Sequence, residues 1–148
     1  MSATYDNVDK GTELPPRSYQ VTRLDLVKYA GASGDFNIIH WNERVARSVG
    51  LPNVIAHGMY TMAQAGNFVS EWAGDPGAVL EFGVRFSAMI PVPDDATPPL
   101  GGTAGGATIE VSGVVKKKLD DNKVAVDIVT TSGGAKVLTR ARAVVRLP

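Results

Sequence analysis

The sequence contains no cysteine. That excludes disulfides, iron–sulfur clusters and thiolate zinc sites together, removes any thiol nucleophile, and fits a reducing compartment. Histidine is scarce as well: His40 and His57 are the only two in 148 residues. Without a repeated carboxylate spacing they make no convincing metal-ligand set, so no metal is expected. Charge of one sign is also lacking, since fifteen basic and fifteen acidic side chains cancel to zero. The basic footprint of a nucleic-acid binder is therefore missing, and nothing electrostatic opposes self-association. The opening text, MSATYDNVDKGTELPPR, carries Asp6, Asp9 and Glu13 without an apolar core region. It reads as neither a signal peptide nor a membrane anchor, which predicts a cytoplasmic protein. A hydrophobic content of 44% over this length suits one compact domain spanning 1–148.

What is present falls into a helical part followed by a strand-rich part. Arg17 to Val21 reads as a short strand, and Thr22 opens a capping-box-like TRLD ahead of a short helix with Leu24, Val27 and Tyr29. Glycines between Gly31 and Gly34 must end it. Asn42 can cap a second short helix with Val45, Ala46 and Val49 on one face, stopped by Gly50 and Pro52. Gly58 to Trp72 has Glu71 as its only charge and small or apolar residues nearly all round, which predicts a helix buried on several sides. At about 1.5 Å per residue it is too short, and too interrupted by Gln64, Asn67 and Ser70, to cross a bilayer.

After Ala78 the text alternates. Leu80, Phe82, Val84, Phe86, Ala88 and Ile90 are expected on one face and Glu81, Arg85 and Ser87 on the other. The pattern returns with Ile109, Val111, Gly113 and Val115, with Val124, Val126 and Ile128, and with Val137, Ala141, Ala143 and Val145 opposite Arg140, Arg142 and Arg146. Turn signals at DDNK and SGGAK make these last three strands an antiparallel meander. A flexible proline- and glycine-rich connection, PVPDDATPPLGGTAGG, precedes them. Its GGTAGG lacks the lysine and the strand-to-helix context of a phosphate cradle, so no nucleotide cofactor is expected. The lysines at 116–118 read as a solvated, edge-protecting feature rather than a docking patch. A helix apolar on most faces needs a sheet to wrap it, so the fold class is α+β.

Between the first two helices lies GASGDFNIIH. By spacing alone an Asp-x-Asn loop reads as turn chemistry capping a following helix. The longer text, Tyr29 to Ala46, resembles the signature of the MaoC-like (R)-specific enoyl hydratases. It shares an aromatic residue, a small-residue run, Gly-Asp-x-Asn, an aliphatic residue and a histidine through Tyr29, Ser33, Gly34, Asp35, Asn37, Ile39, His40 and Ala46. Ile38 stands where that family usually has proline, which bears on loop stiffness rather than on a reacting group. A second block, AHGMYTM from Ala56 to Met62, matches the opening of the family's central helix. Within the family the text is most similar to the catalytic dehydratase subunits of mycobacterial type II fatty-acid synthesis, which pair with a related subunit lacking the dyad.

The resemblance implies a single hot-dog domain, a curved antiparallel sheet around a central helix. It also implies reversible hydration of 2-enoyl thioesters on coenzyme A or acyl carrier protein, catalysed by Asp35 and His40 without a cofactor, in a homodimer or a heterodimer with a related hot-dog subunit. That chemistry needs a proton moved at C2, a proton moved at the C3 oxygen, and an enolate-like thioester oxygen stabilised. A carboxylate and an imidazole five residues apart suit the first two tasks. Asn37 can orient the loop or a water, and Gly58 at a helix start offers free N–H groups with no side chain in the way. His57 reads as a buried histidine bonded to backbone. The competing readings are a non-catalytic acyl-binding subunit, against which the retained dyad argues, and a hot-dog thioesterase, which has no need of that dyad.

Overall fold

The computed structural model describes residues 3–94 and 105–148. Most of the proline- and glycine-rich connection, 95–104, lies outside the described residues. Strand β1 (Glu13–Val21) leads into helix α1 (Arg23–Ser33), a short helix α2 (Glu43–Ser48) and the long helix α3 (Gly58–Ala73). Strands β2 (Val79–Phe86), β3 (Ala107–Leu119), β4 (Lys123–Ser132) and β5 (Ala135–Arg146) follow. All five strands form one antiparallel sheet in the order β1-β3-β4-β5-β2. This is the α+β hot-dog arrangement that the sequence implies.

The meander is where pattern and burial agree most closely. Ile109, Val111, Val115, Val124, Val126, Ile128, Val137, Ala141, Ala143 and Val145 are all buried, while Arg140, Arg142 and Arg146 are exposed. The hairpin turns have the predicted chemistry: Asp121 and Asn122 adopt left-handed backbone between β3 and β4, and Gly133 and Gly134 do so between β4 and β5. Helix α3 lies against this face through Thr61, Ala65, Phe68, Val69 and Ala73. Gly113, in mid-strand, makes room for it, because a Cβ there would stand 3.2 Å from the Phe68 ring and 3.3 Å from the Asp127 carbonyl. A stripe of α3 at Met59, Ala63, Asn67 and Glu71 stays exposed, so the helix is covered on most sides rather than all.

Three expectations need correction. Strand β1 begins at Glu13, not Arg17, because Pro15 and Pro16 sit in a register shift on an edge strand, where their missing N–H groups cost no ladder bond. Helix α1 buries Leu26 and Ala30 and leaves Leu24 and Val27 exposed. Its orientation is set by Arg23, whose guanidinium donates to the Val92 carbonyl at 3.0 Å, to Glu43 at 2.9 Å and to Asn53. The single-faced alternation along 80–90 fails as well. Two register shifts interrupt β2, the strand stops at Phe86, and Leu80 and Phe86 are exposed while Ile90 is buried beyond its end. Opposite buried Val145 and Ala143 stand Val79 and Phe82, so these carry the inward face.

Smaller expectations hold. Thr22 and Asp25 form the capping box of α1, and Gly34 ends it in the left-handed conformation. Asn42 caps α2 by accepting from the Val45 N–H at 3.1 Å, although Val49 falls in the terminating turn and is exposed. The edge-protecting reading of the lysines, by contrast, does not hold, because β3 has a bonded neighbour on both sides: Lys116 pairs with Asp127, and Lys118 packs over the Tyr5 ring while donating to the Tyr5 carbonyl at 2.7 Å. No helix among the described residues is long and apolar enough to cross a membrane.

Candidate active site

The loop after α1 is tied by its own side chains. The Asp35 N–H donates to the Ser33 hydroxyl, the Asn37 N–H to Asp35 Oδ1 and the Ile39 N–H to Asn37 Oδ1, at 3.2, 3.2 and 3.3 Å. Asn37 thereby caps a single 3-10 turn, Ile38–His40. The Trp41 indole donates to the Phe36 carbonyl at 3.0 Å, and the Ile55 N–H donates to the Ile39 carbonyl at 3.2 Å. This network fixes the loop without the proline that Ile38 replaces.

The loop brings Asp35 and His40 together. Asp35 Oδ2 lies 3.9 Å from His40 Nε2, with the aspartate side chain half exposed and the imidazole 9% exposed. That separation is too long for a direct hydrogen bond and short enough for one oxygen atom to touch both groups. His40 Nδ1 is 2.6 Å from the Ile55 carbonyl. A carbonyl only accepts, so Nδ1 carries a proton, and in the neutral ring the lone pair lies on Nε2, which faces Asp35. The two oxygens of Asp35 thus have separate tasks, Oδ1 holding the loop and Oδ2 facing the imidazole.

Beside them opens a cleft of about 400 Å³ lined by His40, Gly58, Thr61, Phe86, Met89 and Leu138 among others. Gly58 is the first residue of α3, whose N-cap position is held by His57 with no side-chain capping bond. The first N–H groups of the helix are therefore left free of a cap at the cleft wall, where the positive end of the helix dipole also points. A Cβ on Gly58 would stand 3.1 Å from the Phe86 ring, so the glycine also seats this ring at the cleft mouth. Asn37, by contrast, faces the turn it caps.

His57 is buried and bonded to backbone, as the sequence suggests, and it also touches both members of the pair. Its ring is 1% exposed and stacks on His40 with centroids 3.8 Å apart and planes 23° apart. Its Nε2 donates to the Asp35 carbonyl at 3.1 Å. Burial, first, pushes its pKa below the ordinary histidine value, and nearby His40 adds to this, against the raising effects of the bond to the Asp35 backbone and of the Asp35 charge. Asp35, His40 and His57 offer donor atoms within 4.8 Å of one another. Two of the imidazole nitrogens in this group are already engaged, His40 Nδ1 with the Ile55 carbonyl and His57 Nε2 with the Asp35 carbonyl. Thr61 and Phe86 were missed as cleft residues. Phe86 carries no local sequence signal, since its place at the cleft comes from packing against Gly58.

A central helix cupped by one antiparallel sheet, with a carboxylate–imidazole pair beside its N-terminus, defines a hot-dog protein equipped for acid–base chemistry. The family model described as the MaoC like domain matches residues 7–132, and the chain belongs to that family. It is 37% identical over 89 residues to 3-hydroxyacyl-thioester dehydratase X of Mycobacterium tuberculosis, covering 59% of this chain and 31% of that protein. It is 27% identical over 129 residues to the (R)-specific enoyl-CoA hydratase of Rhodospirillum rubrum, covering 86% and 81% of the two chains. A solved structure of a MaoC-like dehydratase superposes with a TM-score of 0.88 at 40% identity, over 99% of this chain and 43% of its own. The chain thus spans under a third of dehydratase X and less than half of the solved dehydratase chain.

Proposed function

We propose that this protein catalyses the reversible elimination of water from a (3R)-hydroxyacyl thioester, with Asp35 and His40 as the acid–base pair. The observation that carries the reading is the His40 Nδ1 contact with the Ile55 carbonyl, which leaves a basic Nε2 facing a carboxylate across a gap one oxygen atom can bridge. In the dehydration direction His40 Nε2 takes the C2 proton, Asp35 delivers a proton to the departing C3 hydroxyl, and water leaves. The proton on His40 then returns to Asp35. Hydration runs the same steps backwards, with Asp35 deprotonating water and His40 protonating C2. Charge that builds on the thioester oxygen is met by the N–H groups at the head of α3 beside Gly58. Support also comes from the two relatives, whose names give a dehydratase and an enoyl-CoA hydratase acting on thioesters.

The working unit in this reading is a pair of hot-dog domains. Strand β2 is a sheet edge, and Phe36, Trp41, Met59, Phe86 and Met89 stand exposed around or near the cleft. A second hot-dog unit, either another copy or a related chain without the dyad, would cover this apolar rim and complete an acyl channel. The solved dehydratase chain is more than twice as long as its matched part, which leaves room in one chain for such a unit. Cytoplasmic location is part of the same reading.

Incubation with crotonyl-CoA tests the function directly. Loss of the conjugated-enoyl absorbance without thiol release is the expected result. Thiol release would indicate a thioesterase, and binding with neither change would indicate an acyl-binding subunit.

A further inference from the structure

We propose that His57 is a positioning residue for the Asp35–His40 pair, holding the backbone of one member and the ring of the other with a single neutral imidazole. The inference rests on the acid–base reading of that pair. His57 occupies the N-cap of α3, a position where serine, threonine, aspartate or asparagine would ordinarily bond the first N–H groups, and it makes no such bond. Its hydrogen bond goes elsewhere, from Nε2–H to the carbonyl of Asp35 at 3.1 Å. That bond fixes the peptide from which the carboxylate projects.

The other nitrogen defines the ring's state. Nδ1 is fully buried and has no hydrogen-bond partner among the described residues. A carbonyl accepts only, so Nε2 is protonated, and a second proton on Nδ1 would be buried with nothing to accept it. The ring is therefore held as the neutral Nε2–H tautomer. His40 lies against its face at 3.8 Å, so the imidazolium that forms when His40 takes a proton rests on a neutral π surface and not on a second cation. Tyr29 of α1 packs edge-on against His57 at 4.9 Å, and Tyr60 of α3 packs edge-on against Tyr29 at 5.5 Å. The titratable groups around the stack are thus Asp35 and His40 on the loop and these two phenols, with Asp25 of α1 acting in turn on Tyr60.

The two roles separate in two substitutions. His57→Gln keeps an amide N–H that reaches toward the Asp35 carbonyl and removes the aromatic face. His57→Phe keeps the face and removes the donor. With His57→Phe, kcat should fall about ten- to a hundredfold, the scale on which a displaced catalytic group costs rate, with KM little changed and the pH profile in place. With His57→Gln, kcat should be largely retained, while the acidic limb of the kcat profile moves to lower pH because the protonated His40 loses its π surface. Unchanged kcat and unchanged pH profiles in both folded variants would overturn the proposal. A long-range proton–nitrogen correlation spectrum of the unmutated protein decides it independently of activity and of variant folding. A neutral Nε2–H signature for His57 at neutral pH is expected, and a cation or an Nδ1–H tautomer there overturns the inference. An unmutated protein inactive on enoyl thioesters that still shows this signature would instead remove the proposed reaction.

Discussion

Strands β3 to β5 and strand β2 share the same alternating text and end differently. In the meander every inward residue of the alternation except half-buried Gly113 is buried, and this survives register shifts between β3 and β4 and between β4 and β5, because each of these strands has a bonded neighbour on both sides. Strand β2 also shifts register twice, but it is bonded on one side only, and Leu80 and Phe86 are left 44% and 51% exposed. The difference has a use. The free-edged end of β2 carries Phe86 over Gly58 at the cleft mouth, whereas the strands bonded on both sides hold the core against α3. One part of the sheet serves stability and the other shapes the site, and substitutions should separate the two.

The largest effect is expected on the loop beside the cleft. Asp35→Asn and His40→Ala should each lower turnover by about two to four orders of magnitude, the usual scale for a positioned acid or base. The Asp35 side chain is half exposed, and its loop retains the bonds made by Asn37 and Trp41, so Asp35→Asn should leave the melting temperature close to that of the unmutated protein. Normal turnover in either folded variant would end the dyad assignment. Phe68→Ala should behave in the opposite way. Phe68 is 2% exposed and sits between α3 and Gly113, so its removal should cost about 3–5 kcal/mol of stability in a denaturant titration. Activity per folded molecule should stay near normal. A large loss of turnover in the molecules that remain folded would show that the core and the site are not separable.

Gly58→Val probes the boundary between the two regions. It should remove about 2.7 kcal/mol or more of transition-state stabilisation by closing off the helix head. The added carbon also meets the Phe86 ring, so Phe86→Ala is measured alone and in combination. If the double variant folds and stays slow while Phe86→Ala alone is fast, access to the N–H groups is the cause. Full activity in a folded Gly58→Val would place the negative charge of the reaction elsewhere.

Most of the frame was legible because it depends on local rules. Turn residues, capping residues and period-two rows each act over a few positions, and the meander, the Thr22 and Asn42 caps and the Gly58 helix start were read from them. The parts that escaped depend on distant partners. The buried face of α1 is chosen by Arg23 reaching Val92, Glu43 and Asn53, which the 3.6-residue period does not contain. The loop text drew attention to Asp35 and His40, yet the ring that links them comes from 22 positions beyond Asp35 and becomes visible only when the head of α3 packs against the loop. The loop around Ile38 is tied by hydrogen bonds to Asn37 and from Trp41, which spacing alone does not show.

The smallest expected effect tests whether the cap of α1 belongs to the stable frame or to the site. Thr22 accepts from the Asp25 N–H at 3.3 Å, while Asp25 accepts from the Thr22 N–H at 2.8 Å. This reciprocal pair satisfies donors in the first turn that have no partner within the helix. Thr22→Ala removes one half of it and should cost about 1 kcal/mol of stability, within the usual range for losing a threonine cap. The far end of the same helix carries Tyr29, packed edge-on against His57, and Gly34, after which the loop of Asp35 and His40 begins. If α1 moves as a unit, fraying its start will reach the stack and lower kcat as well as the unfolding midpoint. Arg23 anchors that first turn independently, through Val92 and Glu43, so the fraying should stop there. The expected result is a lower midpoint with kcat unchanged, and a fall in kcat at temperatures where the variant is fully folded would show that the helix transmits strain from its cap to the site.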